Sequence, residues 1–287
     1  MSLLLPDELK QLWLSVEQHR LDQRTFGLEQ ARLLDKYRSC WSDALKLEGQ
    51  ASLEDSIIAE LGLYTACPDM NELRERCKLG AASVARDWER SHPDNQRSIQ
   101  DFYDQSTSYI YDLMWWHTLV DDMSALAYVT ALEFAERNAC HDHLDFGGGV
   151  GSGNLLFVRN GFESTYADIS SSLLGFSKWR FDIRKLPGVE FLDLKVASLP
   201  REAFDMITAM DVFEHLAEPE HAVEDIWRAL KPGGFLFGRF AVEADDEDHP
   251  QHIVHDFAPT MERMRSLGLH EVWRDEWLWG NQAFQKQ

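Results

Sequence analysis

The chain is poor in cysteine and in positive charge, and it has no long apolar run. Its four cysteines, Cys40, Cys67, Cys77 and Cys140, are scattered over 287 residues without metal-ligand spacing. That excludes a disulfide scaffold and a cysteine-based zinc module, and reads as reduced thiols in a cytoplasmic protein. No stretch of 18 apolar residues occurs, so no transmembrane helix is expected. The start, Met1-Ser2-Leu3-Leu4-Leu5-Pro6-Asp7, lacks the basic region and the apolar length of a signal peptide. Internal repeats and low-complexity tracts are absent. Lys and Arg total 28 against 49 Asp and Glu, a formal net charge of −21. Recognition of nucleic acid needs a basic track to neutralise phosphates, and none is visible. Nucleic acid and anionic membranes are therefore poor partners. A small molecule, or a neutral or cationic group on a carrier, suits this charge better.

What is present is enough apolar residue, 44%, for a proper core. The length exceeds the usual single-domain range, so a larger domain with an extension is expected. The first part reads as helical: Leu9, Leu12, Trp13 and Val16 recur at helical spacing, and Leu28, Ala31, Leu34 and Leu45 more loosely. Ser91-His92-Pro93-Asp94-Asn95 reads as a linker, which divides the chain into residues 1–95 and 96–287.

Residues 144–153, Leu-Asp-Phe-Gly-Gly-Gly-Val-Gly-Ser-Gly, follow an apolar approach and precede a helix-like stretch from Asn154 to Asn160. A glycine-rich turn between strand and helix lets backbone approach a ligand and points helix N–H groups at it. The dinucleotide form G-x-G-x-x-G fails in every register, and no Gly-Lys-Ser/Thr follows to make a P-loop. Periodic apolar segments on both sides argue against a flexible linker. What fits is apolar-Asp-x-Gly-x-Gly-x-Gly, through Asp145, Gly147, Gly149 and Gly151. This resembles the first motif of the class I S-adenosylmethionine (SAM) dependent methyltransferases. Asp205 to Gly234, with Asp211-Val212-Phe213-Glu214-His215-Leu216 and Lys231-Pro232-Gly233-Gly234, resembles a second stretch of that family in correct order. The resemblance covers roughly residues 120–287.

The resemblance implies a Rossmann-like fold. A seven-stranded mixed sheet would carry helices on both faces, added to the all-helical N-terminal region. Residues 270–276 and 281–286 would form a final antiparallel hairpin, with Gly280-Asn281 near its turn. Lys231-Pro232-Gly233-Gly234 is expected to stop the preceding helix, in which Val223, Ile226, Trp227 and Leu230 form one stripe. The cofactor implied is SAM. Asp168, ending a second strand near the spacing of about 20 residues, would accept hydrogen bonds from ribose hydroxyls, with Ile169 beside it. Asp193 and Leu194 would border the adenine, although Lys195 stands where the family usually has an acid. Asp211 and Val212 follow the fourth strand and complete the expected cofactor set.

In-line positioning of a nucleophile supplies much of the acceleration in methyl transfer, and a base is needed only if the acceptor must lose a proton. His215 is the candidate base and Asp211 its companion. The alternative is a structural Glu-His pair. Asp211, Glu214 and His215, with His252 or His255, also have the residue types of a divalent-metal site, and whether a metal binds is left open. Residues 96–120 are densely aromatic. Asp101-Phe102-Tyr103-Asp104 resembles a helix that the family places over the cofactor mouth. Tyr103, Tyr109, Tyr111, His117 and, further on, His255 are the candidate acceptor contacts. Any single ring could instead be core. The acids from Glu243 to Asp248 are expected on the substrate side. The function implied is transfer of methyl to an O, N or C atom of a small-molecule, biosynthetic acceptor. The alternatives are a fold that uses SAM for something other than methylation, or a catalytically inactive partner-binding or regulatory subunit. Residues 1–95 would serve as a lid, as a docking module, or as a homo-oligomer contact.

Overall fold

A computed structural model describes residues 3–240, 249–254 and 256–287. Five helices come first. Helix α1 (Leu5–Glu17) has Pro6 in its first turn, where the missing N–H costs nothing. Helix α2 (Gln23–Leu45) begins at Asp22, whose carboxylate accepts the Thr25 N–H. Helix α3 (Leu53–Thr65) is capped by Ser52 and α4 (Met70–Lys78) by Asp69, and α5 (Gly80–Ser91) follows. The buried stripe of α2 is Phe26, Leu33, Tyr37, Trp41 and Leu45. The expected stripe through Leu28 is out of phase with it. Leu28 lies two residues, about 200° of helix, from Phe26 and is 64% exposed. Trp41 is fully buried, donates its Nε1–H to the His117 carbonyl at 3.0 Å, and stacks on Tyr128.

Residues 92–95 separate α5 from α6 (Gln96–Gln105), which opens with a reciprocal cap between Asn95 and Ser98. Helices α7 (Ser108–Trp116) and α8 (Ala127–Arg137) lead into the sheet. Its strands are β1 (Asp142–Phe146), β2 (Glu163–Asp168), β3 (Glu190–Asp193), β4 (Phe204–Ala209), β5 (Leu230–Arg239), β6 (Leu269–Arg274) and β7 (Asn281–Lys286). Helices α9 (Ser152–Arg159), α10 (Ser171–Ile183), α11 (Pro219–Ala229) and α12 (Ala258–Ser266) connect them. The strand order is β3-β2-β1-β4-β5-β7-β6, with β1 to β5 parallel and β7 antiparallel between β5 and β6. This is the expected Rossmann-like, seven-stranded mixed sheet. The order reverses between β1 and β4, which opens a crevice at their carboxyl ends.

Strand alternation divides the core. Leu144, Phe146, Ile207 and Leu236 pack with Val223 and Ile226 of α11 on one face. Met206, Phe235 and Phe237 pack on the other with α8 and α9, in the same apolar cluster as Leu9, Trp41, Ile57 and Leu61 of the N-terminal helices. The N-terminal region therefore builds on one face of the sheet. Among the described residues, no helix is long and apolar enough to cross a membrane.

One local reading is corrected. Lys231 to Gly234 does not cap α11. The helix ends because Leu230 is already extended and paired with Phe204, and the next pairing is Met206 with Phe235. The intervening residues bulge from β5, with Gly233 at φ 79°. The expected antiparallel hairpin of β6 and β7 is present, with residues 275–280 as its loop. The Asp275 carboxylate accepts the N–H groups of Trp277, Leu278 and Trp279, each at 2.8 Å, and organises a longer loop.

Trp41→Ala should cost about 3–5 kcal/mol in denaturant unfolding, because it empties a filled site and orphans the His117 carbonyl. Leu28→Ala, on the exposed side of the same helix, should stay within about 0.5 kcal/mol.

Candidate active site

The glycine turn sits between β1 and α9. Gly147 and Gly148 donate their N–H groups to the Ala167 carbonyl of β2 at 2.8 and 3.2 Å. Gly147 and Gly149 have φ of +72° and +55°. A Cβ on Gly147 would lie 2.6 Å from Val212 Cγ2, so only glycine fits. The Gly149 N–H donates to Asp168 Oδ2 at 3.0 Å, and the Ser170 N–H to Oδ1 at 2.8 Å. Burial still holds the Asp168 carboxyl above its usual range, against the pull of these two bonds. Each oxygen keeps a lone pair for a further donor.

Above this turn is a cavity of about 420 Å³, within the range typical of small-ligand sites. Helix α6 presents Gln96, Ile99, Gln100 and Tyr103 to it, at i, i+3, i+4 and i+7. Helix α7 presents Tyr109, Leu113 and Trp116, with His117 following. Leu194, Ala197, Ser198 and Leu199 come from the loop after β3, and Asp211, Val212 and His215 from the segment after β4. Glu218, His221 and Asp225 line the side formed by the start of α11.

The expected residues Gly147, Gly149, Asp168, Ile169, Leu194, Asp211, Val212, His215, Tyr103, Tyr109 and His117 thus meet in one cavity. Four do not reach it. Tyr111 is two positions from Tyr109, hence on the far side of α7, where its ring lies under the Arg76 guanidinium at 4.2 Å. Asp145 is fully buried and accepts from Thr208 Oγ1 at 2.7 Å and from Tyr128 OH at 3.4 Å. Its partner Tyr128 does line the cavity. Gly151 is the left-handed residue before α9 and faces Ser177 and Phe181. Asp193 accepts the Lys195 N–H at 3.0 Å and shapes its own loop, while Lys195 turns outward to Asp104. His255 and the acids from Glu243 to Asp248 lie outside the described residues. The α6 positions Gln96, Ile99 and Gln100 and the α11 positions Glu218, His221 and Asp225 were not anticipated. Their i, i+3, i+4, i+7 spacing was the available signal.

Asp211 adopts φ +51°, uncommon for a non-glycine residue, and pairs with Arg239 Nη1 at 3.0 Å. His215 Nδ1 lies 3.0 Å from Tyr103 OH and 3.2 Å from the Gln251 carbonyl. A carbonyl only accepts, so we assign the proton to Nδ1, which leaves the Nε2 lone pair available. Burial, reinforced by His252, pushes the His215 pKa down to about 3. The ring is therefore neutral at physiological pH and is a hydrogen-bond acceptor rather than a strong base. One ligand atom each from Glu214, His215 and His252 lies within 4.8 Å of the others, a donor set of one oxygen and two nitrogens that could hold a divalent ion. Asp211 is not part of that group. Both ring nitrogens of buried His117 have no hydrogen-bond partner among the described residues, and burial keeps this ring neutral as well. Orphaned polar atoms at the wall of a cavity fit a site built for a ligand.

The fold is Rossmann-like, and its glycine turn, Asp168 and His215 line one cavity. A family model described as a methyltransferase domain matches residues 144–238. The ubiquinone biosynthesis O-methyltransferase of Coxiella burnetii is 30% identical over 95 residues, covering 33% of this chain and 41% of that protein. The protein of the same name from Paracidovorax citrulli is 29% identical over 97 residues, with the same coverage. The chain thus spans about two fifths of the length of these relatives. A SAM-dependent methyltransferase structure from Aquifex aeolicus has a TM-score of 0.45 at 18% identity, covering 67% of this chain and 97% of that one.

Gly149→Val should abolish SAM binding, because a β-branched residue cannot hold the left-handed conformation of the turn. Asp168→Ala should weaken binding by about 1.5–3 kcal/mol. Titration calorimetry with S-adenosylhomocysteine checks both, and unchanged affinity in the pair would refute the assignment. A second test concerns Asp145, whose pKa burial raises to about 7. The folded state then binds this proton more tightly than the unfolded state, so ionisation costs stability progressively from about pH 4 to about pH 7. Wild type should therefore lose stability relative to Asp145→Asn between pH 5 and pH 8. Denaturant melts at both values measure this, and a pH-independent difference would refute it.

Proposed function

We propose that this chain transfers a methyl group from SAM to an O, N or C atom of a small, neutral or cationic acceptor. One observation carries the reading: the glycine turn, Asp168, the aromatic faces of α6 and α7, and His215 converge on a single cavity. The SAM sulfonium, when bound, supplies an electrophilic methyl carbon. The residues to hold it are Gly147 to Gly149 through their backbone and Asp168 through its free lone pairs, with Leu194 and Val212 as apolar walls. Tyr103, Tyr109 and Trp116 exclude water and offer ring faces to a cation. His215 Nε2 accepts a hydrogen bond from an acceptor hydroxyl or amine and orients it, and Tyr103 braces the ring through Nδ1. As proposed contacts, Asp211 sets the wall beside His215 and His117 offers two unsatisfied nitrogens. A divalent ion on Glu214, His215 and His252 would instead orient an acceptor oxygen.

The electrostatics favour this acceptor class. Asp168, Asp211, Glu218 and Asp225 line the cavity, and among the described residues no Lys or Arg does. A phosphorylated or carboxylated acceptor would meet like charge in a low-dielectric site. Four free cysteines support a reducing compartment such as the cytoplasm. No specific observation favours an inactive regulatory subunit or a homo-oligomer.

With methyl-labelled SAM, the protein should label neutral or amine-bearing small molecules and leave RNA, DNA and phosphorylated analogues unlabelled at physiological salt. Label recovered on bulk RNA would overturn the acceptor class.

A further inference from the structure

Three charged side chains are sealed beneath the glycine turn. Glu60 of α3 and Arg180 of α10 have fully buried side chains, and Arg184 is 1% exposed. Arg180 Nε donates to both Glu60 carboxylate oxygens at 3.1 Å, and its Nη2 lies 3.0 Å from Oε2. Arg184 Nε donates to Glu60 Oε1 at 2.8 Å. The other end of the Arg180 fork reaches the turn, where Nη1 donates to the Val150 carbonyl at 3.0 Å and to Ser152 Oγ at 2.7 Å. One turn of helix earlier, Ser177 Oγ donates to the Gly149 carbonyl at 2.9 Å, and Tyr166 OH donates to the same oxygen at 2.8 Å. Two consecutive carbonyls of the turn are thus gripped from α10 and β2. The peptide unit is planar, so fixing its oxygen also fixes the N–H on its far side.

We propose that Glu60 is a positioning residue for the cofactor turn, and that it acts through Arg180. The guanidinium is a rigid planar fork. Glu60 holds two of its nitrogens, and the third is then aimed at Val150 and Ser152. A carboxylate is required because two guanidinium groups share this fully buried pocket. Glu60 lies 120 residues from Arg180 and belongs to the N-terminal helices, so this region sets the geometry of the turn from behind. It lies outside residues 144–238, the stretch matched as a methyltransferase domain.

The inference rests on the reading that this turn holds SAM, and its first test does not need the cofactor. Hydrogen exchange of the full ligand-free chain should show residues 147–153 of Glu60→Gln exchanging at least tenfold faster than wild type, with β4 and β7 unchanged. Ser152→Ala, which removes only a receiving group, should act in the same direction if Glu60→Gln does not fold. Uniform acceleration across the sheet, or no change at the turn, overturns the proposal. In the second arm, Glu60→Gln should weaken S-adenosylhomocysteine binding at least tenfold. KM for SAM should rise, while KM for the acceptor and turnover at saturating SAM stay at wild-type values. Arg180→Lys should keep the charge and lose the effect on the turn, because one ammonium cannot span both partners. Equal losses in both KM values and in turnover would indicate a merely structural pair and overturn the proposal. Absence of cofactor binding by wild type would overturn the reading of the turn, and the exchange result then decides the coupling alone.

Discussion

The structure depends on how closely the turn after β1 is packed from every side. A Cβ on Gly148 would lie 2.6 Å from the Tyr166 ring, and one on Gly153 would lie 2.4 Å from Asp145 Oδ2. Because β1 is central in the sheet, its neighbour β2 brings the Tyr166 ring against the turn, and β1 itself supplies Asp145. The chain can pass there only as bare backbone. That gives the close approach of peptide groups to a ligand, and it costs the conformational freedom that glycine loses on folding. The surroundings hold the turn in one shape through many directed bonds. Gly149 alone engages Asp168 with its N–H, and Tyr166 and Ser177 with its carbonyl.

Those bonds belong to a polar layer that runs through an otherwise apolar sheet. His143 stacks on Phe157 at 3.6 Å and joins Ser164 to Thr208, which in turn donates to Asp145. Asn154 of α9 donates to Ser164 Oγ and to the Thr165 carbonyl. Burial pushes the His143 pKa down to about 3, so this ring bridges its partners in neutral form. Buried groups with satisfied partners specify one arrangement, because any shift leaves a polar atom without a partner in a dry interior. The N-terminal helices contribute apolar area through Trp41 and Ile57, and a directional constraint through Glu60.

The cavity combines an aromatic wall with an acidic rim. Most of the rings come from α6 and α7, and the acids come from β2, the stretch after β4 and the start of α11. His215 stands where they meet, tied to Tyr103 on α6 and to the Gln251 carbonyl.

The sequence alone was enough for the strands, the glycine turn, the acid ending β2 and the resemblance to methyltransferases. Each of these is a local signal, in which residue type and spacing over a few positions determine backbone conformation and one buried face. It was also enough to mark residues 96–120 as aromatic and belonging near the cofactor. Only the tertiary structure decided which of those rings turn inward. Helix α7 presents Tyr109 and turns Tyr111 away, and that phase is set by what the helix packs against, since both faces carry apolar residues. The same holds for Asp145 and Asp193, whose motif positions are right while their side chains serve neighbours rather than the cavity. The partnership of Glu60 with Arg180 had no signal in either segment. A buried ion pair joins residues that are remote along the chain and near only after folding, and charge alone does not say which acid will meet which base. Local patterns determine elements and backbone turns, whereas the direction of a side chain follows from the packing of elements that the chain brings together last.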